Sequence, residues 1–245
     1  PLRVAVIGGG LGGLSAALAC HKSGIKCTVY EKDTRFGERK QGYGLTLTNN
    51  ERGPLAELGL LRRCVAQDCP SNWHWVFDRA GKVLGYYGRA FTGALNGQGV
   101  LTSTEASGSS SERGNLRIPR QDLRQMLLDD LPEGVVEWGC AIKDYTELDD
   151  YVEVEFVDGK KIQADVVVGA DGIRSVVRQL RDEKLFKTLE KRNKWSPPLR
   201  YIGVSVILGL STIRHPLIDG GGFYMYDGEH RLFTMPFRVD ENQCL

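Results

Sequence analysis

Three features that would direct the interpretation elsewhere are missing from this sequence. Its 6 cysteines form no C-x-x-C pair and no His/Cys spacing suited to zinc, so we expect reduced structural thiols and no metal site. No apolar run reaches the roughly 18 residues of a membrane span. Neither charge is in excess, because 32 basic and 31 acidic residues nearly cancel, and no nucleic-acid partner is therefore expected.

No signal peptide is visible in the sequence, and the first predicted strand follows Pro1 directly. We therefore expect a cytoplasmic or organellar protein, from which an upstream targeting sequence can have been removed. With 41% hydrophobic and 26% charged residues, the composition is that of a soluble globular protein. A length of 245 residues allows one large domain, or a large and a small one.

The amino-terminal part of the chain has the pattern of a strand–helix–strand unit. Residues 2–8 (LRVAVIG) predict a buried parallel strand, and residues 11–23 predict an Ala- and Leu-rich helix closed by Gly24. Residues 25–30 (IKCTVY) predict a second strand. A unit of about thirty residues is the size expected of a parallel crossover.

The junction between the first strand and the helix reads GGGLGG over residues 8–13 and fits G-x-G-x-x-G. In this pattern Gly8 permits a tight turn, Gly10 lets the backbone approach a pyrophosphate, and Gly13 lets helix and strand pack closely. Unsatisfied N–H groups at the helix start, including that of Leu11, favour the diphosphate. The sequence therefore predicts a dinucleotide site here.

Glu31 stands at the end of the second predicted strand, with Lys32 beside it in the same candidate site. A carboxylate at this position accepts both hydroxyls of an adenosine ribose and repels a 2′-phosphate. The site is therefore expected to hold FAD or NAD(H) and not NADP(H). The competing interpretation, an ordinary tight turn and a solvated strand end, does not explain why strand, glycines, helix and acidic residue are all in register.

A second glycine-containing segment, GADGIRSVVR over residues 169–178, lies between a predicted buried strand and a predicted helix. It resembles the G-x-D-G-x-x-S-x-x-R signature of the class A flavoprotein monooxygenases, the para-hydroxybenzoate hydroxylase-like family. The resemblance implies that Asp171 lies beside the FAD pyrophosphate, in a segment also implicated in nicotinamide-cofactor binding. It also implies that Arg178 holds the turn through ion-pair or backbone contacts.

Two weaker resemblances to the same family involve arginines. Residues 116–124 (LRIPRQDLR) look like its helix-opening segment, in which Arg120 would pack by the flavin. Residues 38–47 (ERKQGYGLTL) look like its flavin-facing stretch, where Arg39 is a candidate FAD or NAD(P)H contact.

The resulting fold prediction is α/β: a Rossmann-like, glutathione-reductase-type FAD-binding domain with a mostly antiparallel substrate sheet. The FAD domain is predicted over residues 1–182, with a hairpin and loop at 70–114 contributing to the substrate region: strands at 73–77 and 83–87, then a loop at 93–114. Residues 55–61 predict a short amphipathic helix, and residues 151–157 and 161–164 predict a second hairpin that turns at Asp158-Gly159. Residues 183–245 would begin the substrate sheet, with strands at 200–208, 223–226 and 232–237. No Gly-Asp follows Arg178, although the family carries such a motif beyond its substrate sheet, so we expect a C-terminally incomplete fold.

The family resemblance implies an FAD-dependent monooxygenase that uses NADPH or NADH and O₂. Such an enzyme hydroxylates an aromatic, polycyclic or other electron-rich small molecule through a flavin C4a-hydroperoxide. No protein nucleophile is required, so no catalytic residue is assigned, and His74 and His230 are interpreted as hairpin and loop residues. The aromatic residues of the last two strands are interpreted mainly as sheet core.

Two other functions remain open from the sequence alone. One is a flavin dehydrogenase or reductase on the same scaffold, and the other is a truncated, non-catalytic FAD-fold binding module. Substrate identity and oligomeric state do not follow from the residues.

Overall fold

The computed structural model describes residues 2–38, 43–88, 115–188, 199–211, 213, 215–237, 239–240 and 243–244. The chain divides into two compact units, the first made of Pro1–Gln41 with Gln121–Val206 and the second of Gly42–Arg120 with Ile207–Leu245. The loop predicted at residues 93–114 lies outside the described residues. The domain boundaries inferred from the sequence stay a prediction.

The elements are as follows. The strands are β1 Arg3–Ile7, β2 Lys26–Glu31, β3 Gly44–Leu47, β4 Trp73–Asp78, β5 Val83–Tyr87, β6 Leu116–Pro119, β7 Val136–Trp138, β8 Ile142–Glu147, β9 Val152–Phe156, β10 Lys161–Ala164, β11 Val166–Gly169, β12 Gly221–Tyr226, β13 Arg231–Thr234, β14 Val239–Asp240 and β15 Gln243–Cys244. The helices are α1 Leu11–Lys22, α2 Pro54–Glu57, α3 Leu61–Ala66, α4 Arg120–Asp129 and α5 Val176–Thr188, with a 3₁₀ turn at Phe36–Glu38.

A parallel sheet of order β11-β1-β2-β7 forms the centre of the first unit. β1 is buried on both faces from its second residue onward, as its unbroken apolar sequence predicts. α1 buries Leu14, Ala17 and Leu18, which recur at helical spacing. The helix ends at Lys22, and Gly24 follows it as predicted, with a φ of 71° that is accessible to glycine without strain. The predicted strand–helix–strand unit is confirmed.

A second sheet of the first unit, β10-β9-β8, is antiparallel throughout. The β9–β10 hairpin predicted from the sequence is present, and Gly159 in its turn has a φ of 88°. Tyr30 of β2 packs against Phe156 of β9, with ring centroids 5.0 Å apart. The core of this unit therefore lies between the two sheets, and it is formed by Ala5, Ile7, Tyr30, Cys140, Ile142, Tyr145, Val154, Phe156 and Ala164.

The second unit contains a four-stranded sheet of order β13-β12-β4-β5 and the separate pair β3-β6. β12 runs parallel to β4, and every other pairing in these two sheets is antiparallel. The predicted β4–β5 hairpin is confirmed. The helix predicted over residues 55–61 is interrupted, because Gly59 adopts a φ of 76° between α2 and α3.

One predicted strand is wrong. Residues 199–211 contain no strand, although residues 200–208 are apolar and β-branched. A strand requires a hydrogen-bonding partner, and none of the described residues pairs with this segment. Six strands, β3, β6, β7, β8, β14 and β15, were not anticipated.

The α/β class, the Rossmann-like parallel sheet and the additional antiparallel sheets agree with the fold expected from the sequence. Within the part of the chain that the structure covers, no helix combines the length and apolar character needed to cross a membrane.

Candidate dinucleotide-binding site

The glycine-rich loop joins β1 to α1 at the carboxyl edge of the parallel sheet. Gly8 has a φ of 109°, which L side chains rarely adopt, and its amide donates to the Tyr30 carbonyl at 2.8 Å. A Cβ at Gly13 would collide with the Gly8 carbonyl and crowd the Val6 side chain. Both positions therefore require glycine because backbone packs against backbone, as the motif predicts.

Gly10 differs from these two glycines in that a Cβ there would meet no atom within 4 Å. It is the N-cap residue of α1, and among the described residues no side chain caps this helix end. The first-turn amides, beginning with Leu11, are consequently not satisfied by a capping side chain. An open backbone surface at a positive helix end suits a diphosphate.

Glu31 at the end of β2 is buried, with 5% relative exposure, so it is not a solvated strand end. One carboxylate oxygen accepts the Gly9 amide at 2.5 Å and the other accepts the Asp33 amide at 2.9 Å. Each oxygen has a second lone pair available for a ribose hydroxyl. Lys32, next in the chain, is exposed.

Arg124 of α4 belongs to the same site but was not singled out from the sequence. Its side chain is buried, and Nε donates to the Gly9 carbonyl at 2.9 Å. Nη1 donates to the Phe36 carbonyl at 3.2 Å, and the guanidinium lies 4.6 Å from the Phe36 ring centroid. A buried arginine on a polar helix is a detectable signal only after the helix has been placed.

Asp171 closes the amino end of α5. One of its oxygens accepts the amides of Val176 (2.6 Å) and Val177 (3.2 Å), and the other accepts the Ser175 hydroxyl at 2.5 Å. Ser175 Oγ in turn accepts the Arg178 amide at 3.0 Å. The first three amides of α5 are therefore satisfied by side chains, unlike those of α1.

Arg178 contacts the same turn through its side chain. Nη2 donates to the Ile173 carbonyl at 2.6 Å, so the backbone contact predicted for this arginine is present. Gly169, at the end of β11, has no room for a side chain, because a Cβ would lie 2.9 Å from Val177 Cγ1. The motif thus packs α5 directly onto the end of its strand.

The two motifs meet at one edge of the parallel sheet. β11 lies beside β1, and the Ala170 amide donates to the Ile7 carbonyl at 2.8 Å. A Cβ at Gly8 would lie 2.6 Å from the Ala170 carbonyl oxygen and 2.9 Å from the Asp171 Cα. Since β1 has β2 on one side and β11 on the other, this edge is where ligands bind in open α/β sheets.

Two of the predicted contacts are not among the described residues of the first unit. Arg39 lies outside the described residues. Arg120 belongs to the second unit, where its amide donates to the Tyr43 carbonyl at 3.0 Å. Its guanidinium lies 5.9 Å from the Tyr43 ring centroid.

The second unit has a cavity of its own, of about 580 Å³, lined in part by Ser71, His74, Tyr87 and Arg117. His74 is buried, stacks on Tyr87 at 4.7 Å, and lies 3.3 Å from the Ser71 hydroxyl. Burial lowers the pKa of His74, and the nearby charge of Arg117 lowers it further. Burial is also the main cause that raises the pKa of Tyr87.

No group of three or more metal-ligating side chains occurs among the described residues. The parallel sheet, the glycine loop, the buried strand-end carboxylate and the second turn packed against the loop define a dinucleotide-binding α/β protein.

Comparison with known proteins identifies the family. Residues 2–205 match the FAD binding domain family, and the chain belongs to it. The 3-amino-4-hydroxybenzoate 2-monooxygenase PtnB3 of Streptomyces platensis is 37% identical over 183 residues, which cover 72% of this chain and 41% of the relative. Salicylate hydroxylase of Pseudomonas putida is 30% identical over 182 residues, covering 72% and 37%.

Solved structures agree with this assignment. Klebsiella pneumoniae HpxO, solved with FAD and uric acid, is similar with a TM-score of 0.55 and 27% identity over 72% of this chain and 41% of HpxO. The 2,6-dihydroxypyridine-3-hydroxylase of Arthrobacter nicotinovorans shares the fold over 98% of this chain and 53% of its own, with a TM-score of 0.66 and 19% identity. The chain spans less than half the length of the curated relatives named above.

Proposed function

We propose that this chain provides the FAD-binding part of a monooxygenase that uses NADPH or NADH and O₂ to hydroxylate an aromatic or other electron-rich small molecule. The observation that carries the proposal is the interlocking of the two motifs, in which Gly8 fits only because it has no side chain facing Ala170. The glycine loop alone is common to many dinucleotide-binding proteins. The second motif beside it is the feature that favours a flavin monooxygenase.

The described residues fit the adenosine diphosphate part of FAD. The uncapped start of α1, at Gly10 and Leu11, would hold the diphosphate, with Gly8 and Gly13 shaping the loop. Glu31 would accept the ribose hydroxyls through its remaining lone pairs, and Lys32 would line the exposed side of the site.

The remaining residues would contribute further along the cofactor. Asp171 would act by fixing the turn beside the diphosphate, because its carboxylate oxygens are engaged by α5 amides and Ser175. Arg120 would contact the flavin or ribityl end, and Arg39 would contact FAD or NAD(P)H. The presence of relatives named for 3-amino-4-hydroxybenzoate and salicylate supports an aromatic substrate.

FAD, when bound, supplies the redox chemistry. This chain's own residues bind the adenosine diphosphate, orient it along the sheet edge and hold the two loops in place. No acid–base residue of the chain is needed for these tasks.

The test uses the complete protein. The cofactor released on denaturation is identified, and NADPH and NADH oxidation is followed together with O₂ consumption, with salicylate and 3-amino-4-hydroxybenzoate as probe substrates. Bound FAD and substrate-stimulated O₂ consumption, with labelled oxygen from O₂ in the product, are expected. Bound FAD with reduction but no oxygen transfer to any aromatic probe would indicate a dehydrogenase or reductase, and absence of flavin would overturn the assignment.

A further inference from the structure

We infer that Arg124 is a positioning residue for the dinucleotide cradle, by which we mean the glycine-rich loop of residues 8–13 with Glu31. Arg124 acts together with Glu31 by holding Gly9 in a fixed orientation. The inference rests on the proposed FAD function, and it assigns a role to a side chain that belongs to neither glycine motif. We call the three residues the Gly9 clamp.

Both backbone groups of Gly9 are engaged by charged side chains. Its N–H donates to the Glu31 carboxylate at 2.5 Å, and its C=O accepts Arg124 Nε at 2.9 Å. Glu31 and Arg124 are buried, with 5% and 2% relative exposure. Buried charges are costly unless they are paired and hydrogen-bonded, and here the two opposite charges act on the same residue from two sides.

The position of Arg124 is itself well determined. Its second donor, Nη1, bonds the Phe36 carbonyl at 3.2 Å, and its guanidinium lies 4.6 Å from the Phe36 ring and 5.8 Å from the Trp138 ring. Because two carbonyls and two aromatic rings hold the planar guanidinium, the Arg124 side chain loses little further conformational entropy when it orients Gly9.

The clamp determines which way the next amide points. The peptide joining Gly9 to Gly10 is planar and trans, so its N–H points opposite to its C=O. Because Arg124 draws the Gly9 carbonyl toward itself, the Gly10 amide is directed away from Arg124. A Cβ at Gly10 would meet no atom within 4 Å, so the loop is open to a ligand at this residue. Arg124 thereby orients the Gly10 amide as a donor to the diphosphate, although Arg124 itself does not contact the diphosphate.

Titration of the FAD-free complete protein with ADP tests the inference, because ADP carries only the ribose and diphosphate that the cradle would hold. Arg124→Met is expected to weaken ADP binding about tenfold to a hundredfold, the range for loss of a charge-assisted hydrogen bond. Arg124→Lys keeps the charge without the fork and should lie between Arg124→Met and the parent. Arg3→Met is the matched control, since Arg3 pairs with Asp165 at the other end of β1, and it should bind ADP like the parent.

A double-mutant cycle with Glu31→Gln separates the clamp from a merely structural role. Once either charged partner is lost, Gly9 is released, so the double variant should bind ADP more tightly than the product of the two single losses implies. If Arg124→Met does not fold, the cycle is run with Arg124→Lys.

The inference would be overturned if the fold-loss of ADP affinity in the double variant equalled the product of the losses in the two single variants. Unchanged ADP affinity in the Arg124 variants, even with a lowered melting temperature, would also overturn it. If the parent protein binds ADP or FAD and the Arg124 variants bind it equally well, the inference about the clamp is wrong while the proposed function stands. A parent that binds neither would overturn the proposed function together with it.

Discussion

Gly8 and Ala170 approach so closely that a single methyl group on Gly8 would lie 2.6 Å from the Ala170 carbonyl oxygen. The two residues are 162 positions apart in sequence but follow neighbouring strands, β1 and β11. Their contact makes the dinucleotide loop and the second motif one structural unit. Substitutions at the loop glycines should therefore separate effects on folding from effects on cofactor binding.

Gly8→Ala should destabilise the FAD-free protein by at least about 2 kcal/mol, because it combines a positive φ with a backbone collision. Gly10→Ala should change the unfolding free energy by less than about 0.5 kcal/mol, since its φ of −77° suits alanine and no atom is near. Gly10→Ala should still weaken FAD binding by obstructing the diphosphate. Urea unfolding and FAD titration of both variants test this, and equal unfolding free energies would contradict it.

Glu31→Ala should weaken the binding free energy of FAD by about 1.5–3 kcal/mol and so lower FAD occupancy. The substitution removes charge-assisted hydrogen bonds to Gly9 and, as we propose, to ribose. Flavin absorbance after gel filtration of matched preparations measures the occupancy. Glu153→Ala, at a half-buried position of β9 where the carboxylate pairs with Lys161, is the control for losing one carboxylate. Unchanged FAD occupancy in the Glu31 variant would count against the assignment.

Asp171→Ala should lower the unfolding free energy by about 1 kcal/mol, because two α5 amides lose their acceptor. Asp171→Asn should retain most of the stability, since asparagine caps helices about as well as aspartate does. Thermal unfolding of the FAD-free proteins is the measurement. If both variants melt like the parent, the capping role of Asp171 is wrong.

Arg120→Ala should lower flavin occupancy or slow flavin reduction while the fold stays intact, because its guanidinium is proposed to face the flavin or ribityl end. Its described contact is with the Tyr43 ring, at 5.9 Å, so little stability depends on it. Stopped-flow reduction by NADPH and NADH is compared with that of Arg52→Ala, an exposed arginine of the same unit. Normal FAD affinity together with a normal reduction rate would refute the placement.

His74 should make the protein sensitive to mild acid. Burial lowers its pKa in the folded state, so as the pH falls below about 6.5 the unfolded chain takes up a proton first and the unfolding free energy declines. His74→Phe, which keeps a ring against Tyr87, should show a smaller decline between about pH 7.5 and pH 5.5. His215→Gln, at an exposed position, should decline like the parent. An unaltered pH dependence in His74→Phe would exclude this histidine as the cause.

Much of the candidate site could be predicted because its chemistry is local. Gly8 and Gly13 are glycines for reasons of backbone conformation and strand–helix packing, and their spacing carries that information. Alternating and continuous apolar patterns likewise predicted β1, β2, β9 and β10. The assigned family agrees with the resemblance that the residues 169–178 carried.

Other features depended on residues far apart in the chain. Arg124 follows Arg120 by one helical turn, and nothing local distinguishes the two, yet the Arg124 guanidinium contacts the Gly9 and Phe36 carbonyls. The guanidinium of Arg120 lies by the Tyr43 ring. The apolar residues 200–208 resemble a strand but have no partner among the described strands. The sequence by itself determined the backbone turns and identified the glycine-rich loop as a dinucleotide-binding loop, because backbone strain and apolar periodicity depend on residues close together in the chain. Only the tertiary structure decided which charged side chains are buried, because burial depends on which distant elements meet.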